Sequence, residues 1–338
     1  MTEPYRLMGQ NGSPYSMKMR AILRYRRIPH VWDQQMPMRA PETEHVRPKV
    51  MPMMRFPSDG EWRVDSTPMA MELEEAESGR SILPEDPVHR FLSHLIEDMA
   101  DEWLTKAMFH YRWYYERSRN FASYWIASDN TPSGEGAMGK REKFAKDICA
   151  RQVGRMALVG CTEENKPVIE ASFQSILHAL ESRVGYRSFL FGTRPSLGDF
   201  GLFGQLKTLA DDPDPRDVIA REAPTAFHWI RHMDDLSGLE GNWLKPDCPL
   251  PGAVTQLLRV CGEAYLPFLH ANRDALENGA EEVRLQIYGR TYAQAPFRYQ
   301  AKCLGRLESL YAGLGESTRT RLDPLLEKTG CLNWLKAA

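Results

Sequence analysis

The feature that most restricts what this chain can fold into is a change of character near Pro87. Up to residue 83, short extended runs alternate with helical runs; beyond Pro87 come long helical periods with few strand candidates. The first pattern predicts a small α/β domain and the second an all-helical one. Between them, Arg80 to Asp86 contains Pro84 and is followed by Pro87, the breaker content of a linker.

Within the first part, Tyr5 to Gly9 reads as a strand, Pro14 to Arg27 as a helix with Tyr15, Met19, Ile22 and Leu23 inward, and His30 to Gln35 as a second strand. Met51 to Phe56 and Glu61 to Asp65 read as a hairpin across Pro57-Ser58-Asp59-Gly60, whose Asp-Gly pair suits a turn with positive φ. A helix is predicted from Pro68, at its first helical position, to a stop at Gly79. In the second part, residues 88–117 and 163–184 are predicted helical. A further helix opens at Ser196-Leu197-Gly198-Asp199, a capping box, and buries Phe200, Phe203, Leu206 and Leu209.

Two stretches stand apart. Residues 119–162 hold a Gly/Ser/Pro-rich piece at 130–134 and a mixed-charge helix from Lys140 to Arg155. Residues 240–338 open on Pro246, Pro249 and Pro251 and continue as at least two amphipathic helices. One face carries Val254, Leu257, Leu258, Cys261 and Tyr265; the other carries Phe297, Ala301, Leu304, Leu307, Tyr311 and Leu314.

Composition excludes several classes of function. With 338 residues, 42% of them hydrophobic, two domains can each bury a core. Lys plus Arg number 43 against 45 Asp plus Glu, a net charge of -2, so no basic field attracts a nucleic acid. No apolar run approaches the ~20 residues of a membrane span, and the start lacks a basic segment followed by an apolar one. The expectation is a soluble cytoplasmic protein with no membrane partner. Six cysteines (Cys149, Cys161, Cys248, Cys261, Cys303, Cys331) are scattered, which predicts that most are small buried apolar residues, with neither disulfides nor a zinc site. His228 and His232 lie one helical turn apart but lack a third ligand, so no metal is expected. Asp199-Phe200-Gly201 spells a kinase triplet without the companion motifs, and belongs to the capping box.

The peptide most suggestive of chemistry is Gly12-Ser13-Pro14-Tyr15-Ser16, where the first strand hands over to the first helix. It resembles the Cys-Pro-Tyr-Cys turn of glutaredoxins with serine at both cysteine positions. In the same register it resembles the Ser-Pro turn of serine-type glutathione transferases. Three further segments follow in that family's order. Val50-Met51-Pro52-Met53 resembles the segment with a cis-proline that opens the third strand, Asp65-Ser66-Thr67 the acidic-Ser pair that holds the γ-glutamyl end of glutathione, and Ser196 to Asp199 the capping box of the helical domain.

The resemblance implies a thioredoxin-like glutathione-binding domain over residues 1–83. An all-helical substrate domain over 87–240, with an insertion near 119–162, and a C-terminal helical extension over 241–338 would follow. It implies a homodimer, glutathione as co-substrate and no metal. The implied reaction is attack of the glutathione thiolate on a small apolar electrophile, by conjugation, addition or thiol-assisted isomerisation. Ser13 would donate a hydrogen bond to the thiolate; Met51 and Pro52 would offer backbone to the cysteinyl part; Asp65 and Ser66 would hold the γ-glutamyl end. Lys49 or His45 is the candidate for the glycyl carboxylate. Tyr15, Tyr111, Tyr114 and Tyr115 would wall the second-substrate pocket.

The residues also admit plainer roles. Ser13 and Ser66 are each good N-caps, Pro52 suits an edge strand, and the tyrosines suit core packing or an interface. A non-catalytic binding protein that kept the fold is the rival class, and hydroperoxide reduction by the same site a third option.

Overall fold

A computed structural model describes residues 3–182 and 188–336. Strand β1 (Tyr5–Gly9) runs into helix α1 (Pro14–Tyr25), strand β2 (His30–Gln34), the hairpin β3 (Met53–Arg55) and β4 (Trp62–Val64), and helix α2 (Ser66–Ala76). The sheet order is β2-β1-β3-β4, with β2 parallel to β1 and β3 antiparallel to both β1 and β4. The hairpin turns through Gly60 at φ 78°, the conformation for which glycine is needed. This is a thioredoxin-like domain, as expected. Helix α2 begins at Ser66, two residues before Pro68, because the chain leaves extended geometry at Asp65 with φ 73°.

The helical part opens with α3 (Pro87–Met99), whose N-terminal Val88 and His89 N–H groups donate to Asp86. A π-helical turn over 100–104 leads into α4 (Thr105–Tyr114), and Tyr115 in extended geometry separates it from α5 (Glu116–Asp129). The single helix predicted over 88–117 is thus three pieces. Then come α6 (Ala137–Val153), α7 (Lys166–Glu181), α8 (Leu197–Asp211), α9 (Pro213–Glu222) and α10 (Pro224–Met233). The predicted end of the 163–184 helix reaches residues outside those described. At the start of α8 the capping box is formed, with Ser196 N–H and hydroxyl both donating to Asp199, and Phe200, Phe203, Leu206 and Leu209 are buried. Helix α8 packs centrally, against α1 on one side and α3 on another. At its closest approach a Cβ on Gly204 would lie 2.6 Å from the Pro14 carbonyl, so a side chain here would push the two apart.

The last hundred residues add α11 (Gly252–Val260), α12 (Leu266–Glu277), a hairpin of β5 (Val283–Ile287) and β6 (Arg290–Gln294), α13 (Arg298–Ala312), α14 (Glu316–Lys328) and α15 (Leu332–Lys336). The sequence reading placed only helices here. The hairpin's signal was present in the alternation Val283, Leu285, Ile287 and in Tyr288-Gly289, both at positive φ. Val254, Leu257, Leu258, Cys261 and Tyr265 are buried, as are Leu304, Leu307 and Tyr311. Phe297 is not: it precedes α13 in extended geometry and is 53% exposed. Helices α13 and α14 lie on α3, and α11 on α7, so this region shares the main apolar core.

Candidate active site

The Ser13 turn lies between β1 and the first turn of α1, and its geometry follows from local hydrogen bonding. Ser13 N–H donates to the Gln10 carbonyl at 3.0 Å, and the Ser16 N–H donates to Ser13 Oγ at 3.2 Å. Ser13 is therefore an N-cap, the role its residue type favours. Capping uses the oxygen as acceptor, however, and the hydroxyl proton has no acceptor among the described residues. The two readings of Ser13 are compatible. Pro14 occupies the first helical position, where its missing N–H costs nothing.

A long-range clamp fixes the turn. The Arg112 guanidinium, from α4, donates to the Gly12 carbonyl at 2.7 Å, to Asp212 at 2.5 Å and to the Thr208 carbonyl at 3.2 Å. Trp125, from α5, lies over the same place: a Cβ on Gly12 would come within 2.8 Å of its ring. Gln10 donates to Asn130 at 2.6 Å. The α5 end of the insertion thus covers the turn, which sequence reasoning missed because nothing local to Trp125 or Arg112 points at residue 12.

Beside the turn, the Met51-Pro52 bond is cis, as in the segment it resembles. Strand β3 pairs with β1 only from Met53 onward, and the Met51 N–H and carbonyl have no partner among the described residues. Pro52 is buried and Met51 half-buried. An extended peptide could add to this end of the sheet.

Asp65 and Ser66 open α2. Asp65 stands at the N-cap but its side chain makes no capping bond; its carboxylate accepts instead from the Tyr299 hydroxyl at 2.6 Å. The N–H groups of Ser66 and Thr67, first in the helix, have no intrahelical acceptor and no other described partner. Behind them lies a buried polar cluster. Lys18 pairs with Glu97 and, at 2.6 Å, with Asp101, and its ammonium also reaches Ser66 and Thr67 Oγ at 3.3 Å. Thr67 donates to Glu97 as well. Burial pushes the Asp101 carboxyl up to about 7 against the pull of Lys18, while Lys18 is held charged by the two carboxylates despite its burial. The Ser66 hydroxyl therefore faces this cluster, and what α2 presents outward is backbone.

The remaining candidates are dispersed. Lys49 donates to the Thr43 carbonyl at 2.8 Å, and His45 is exposed. The Tyr15 hydroxyl donates to the Asp101 carbonyl at 2.9 Å, and burial with Glu102 and Asp101 nearby holds it protonated. Tyr111 packs on Phe173 of α7 and stacks on Tyr115, Tyr115 donates to Glu170, and Tyr114 donates to Glu163. Tyr111 and Tyr115 wall a cleft of about 390 Å³ with Glu170, Asp214, Asp217 and Arg221, which includes neither Ser13 nor Met51. Of the four expected tyrosines, Tyr111 and Tyr115 thus face α7, while Tyr15 sits in the first turn of α1. The apolar surface near the turn comes instead from a small separate cluster of Trp113, Ala122 and Ile126, with Met36, Trp125 and Phe144 against it.

Residues 7–81 match the family model described as the glutathione S-transferase N-terminal domain. The match spans the sheet domain from β1 through α2. Among solved structures, the chain is similar to a glutathione S-transferase of Methylobacterium radiotolerans in complex with glutathione sulfonate (19% identity, 73% of this chain and 99% of that one, TM-score 0.43). It is similar to the beta-etherase LigF of Sphingobium sp. strain SYK-6 (18% identity, 76% and 98%, TM-score 0.48). It is also similar to the glutathione transferase GSTFuA3 of Phanerochaete chrysosporium (14% identity, 69% and 97%, TM-score 0.46). No curated protein matches the chain.

Proposed function

We propose that this protein is a glutathione transferase in which glutathione lies from the Ser13 turn past Met51 and Pro52 to the start of α2. The observation that carries this is the state of Ser13: its oxygen caps α1 and its proton is free to donate. A thiol ionises at about 8.5 when unperturbed, and lowering that by ~2 units requires about 2.7 kcal/mol of preference for the anion. A hydroxyl donating to a charged sulfur contributes roughly 1.5 to 3 kcal/mol, and a helix N-terminus about 0.3 to 1. The two terms suffice. The thiolate then attacks an electrophilic carbon of an apolar substrate, forming a C–S bond while the leaving group departs with its electron pair; in addition, the carbon framework takes the pair and a proton from water. With no sulfur at the turn, dithiol exchange is not available to it. Trp125, Met36 and Phe144 offer the nearest apolar seat for the electrophile. The homodimer and cytoplasmic setting remain part of the proposal.

The experiment is calorimetry with glutathione up to millimolar concentration, together with conjugation of a panel of aryl halides and epoxides. Binding and turnover are expected, and Ser13→Ala should keep binding while raising the pKa of the bound thiol in an ultraviolet thiolate titration. An unchanged titration removes Ser13 from the mechanism; absence of binding sinks the transferase. The rival, a binding protein without catalysis, draws on Lys49 being tied to Thr43 and on Tyr111 and Tyr115 lining a cleft that does not include Ser13. Binding without turnover across the panel would favour it.

A further inference from the structure

The contact between Asp65 and Tyr299 joins the start of α2 to a residue 234 positions later, in the C-terminal extension. Asp65 has φ 73° and ψ 113°, a backbone state that is unfavourable for a non-glycine residue and persists only when its surroundings impose it. An aspartate at an N-cap ordinarily turns its carboxylate onto the helix N–H groups. Here it does not, and the one side-chain partner described for it is the Tyr299 hydroxyl. Burial and the Asp65 charge raise Tyr299 far above the ordinary tyrosine value, so it is a hydrogen-bond donor at every working pH.

Tyr299 is itself held in place. It is the second residue of α13, and two turns further along Arg306 pairs with the buried Asp98 of α3, which also accepts from Tyr265 at 2.7 Å. The extension is thereby locked to the helix that carries Glu97 and precedes Asp101.

We infer that Tyr299 is a positioning residue of the glutathione site, holding the Asp65 carboxylate off the α2 N-terminus so that both ends of the γ-glutamyl group find partners. The inference rests on the glutathione reading above. The γ-glutamyl end carries one ammonium and one carboxylate. A carboxylate offers about four lone-pair directions, so Asp65 can accept from Tyr299 and from an ammonium together. The Ser66 and Thr67 N–H groups, left free by the diverted Asp65, suit the ligand's carboxylate at a helix start. Without the tyrosine hydroxyl, Asp65 would swing onto those N–H groups and compete with that carboxylate. The extension would thus complete the site, and its second role, shielding α3, follows from the same packing.

The test compares the full-length protein with Tyr299→Phe, Asp65→Asn and the double variant, by glutathione calorimetry and by steady-state kinetics with a responsive aryl halide. Tyr299→Phe keeps the ring and is expected to weaken glutathione about tenfold, raising KM for glutathione with kcat within twofold, at an unchanged thermal midpoint. Asp65→Asn is expected to weaken it further, and the double variant to match Asp65→Asn, since Tyr299 acts through Asp65. Glutathione affinity that is unchanged in Tyr299→Phe, or tighter as a plug would give, overturns the inference alone. Wild-type protein that takes up no glutathione overturns the functional reading, and this inference with it.

Discussion

Two additions surround the thioredoxin-like and helical core, and they are joined to it in opposite ways. The α5–α6 hairpin reaches from the helical part across to the sheet domain: Asn130 meets Gln10, and the Arg39 guanidinium lies over the Phe144 ring. Yet α6 buries none of its 17 residues, and Phe121, Tyr124 and Met138 of the hairpin are exposed. The C-terminal extension has less densely charged helices, and α11 to α13 bury Leu257, Leu258, Phe268, Leu269, Leu304 and Leu307 completely in the main core. What separates them is whether the apolar stripe of each helix is continuous with the central core: the hairpin is a cover over the Ser13 turn, whereas the extension is part of the body that holds the site.

The comparison can be broken most directly at Arg306. Its pair, Asp98, is buried and held above the usual carboxylate range by burial, so Arg306→Met leaves a desolvated charge without its cation. A loss of about 3–5 kcal/mol in urea unfolding is expected; a loss below 1 kcal/mol would mean that the extension is not clamped through this pair. Next in size, Leu257→Ala should cost about 2–5 kcal/mol and Phe144→Ala about 1 kcal/mol or less. Equal costs would erase the distinction between body and cover.

A pH-dependent effect is expected at Lys106, which joins both additions by donating to the Val159 carbonyl and, at 2.7 Å, to Gln294. Burial among Trp103, Phe268 and Tyr292 lowers its pKa from 10.5 to about 8. Between those values the unfolded chain binds a proton that the native protein does not, so this residue makes stability rise with pH. Below pH 8 the full cost of its buried charge is present. Lys106→Met should flatten the rise in thermal midpoint between pH 8 and 10 relative to wild type; parallel curves would refute the assignment.

Most of what was legible in the sequence was local. The Gly12-Ser13-Pro14 turn, the Asp59-Gly60 hairpin and the Ser196 capping box each depend on residues within four positions of one another, and each formed. Tyr111 and Tyr115 lie against α7 for a geometric reason. A 3.6-residue period fixes which side chains share a helix face, but the direction of that face depends on what packs there, and α7 packs on Tyr111. Lys18 carried no mark of burial, because only the arrival of Glu97 and Asp101 from another helix makes an ammonium stable inside.

By itself, then, the sequence determined the strand-turn-helix units and the residue types that could serve a thiolate, since propensity, capping and turn chemistry act over one or two turns of chain. Only the tertiary structure decided which groups meet at the site. Arg112 on Gly12, Trp125 over the turn and Tyr299 on Asp65 are contacts across 100 residues or more, fixed by how the helices pack and not by any pattern that precedes packing.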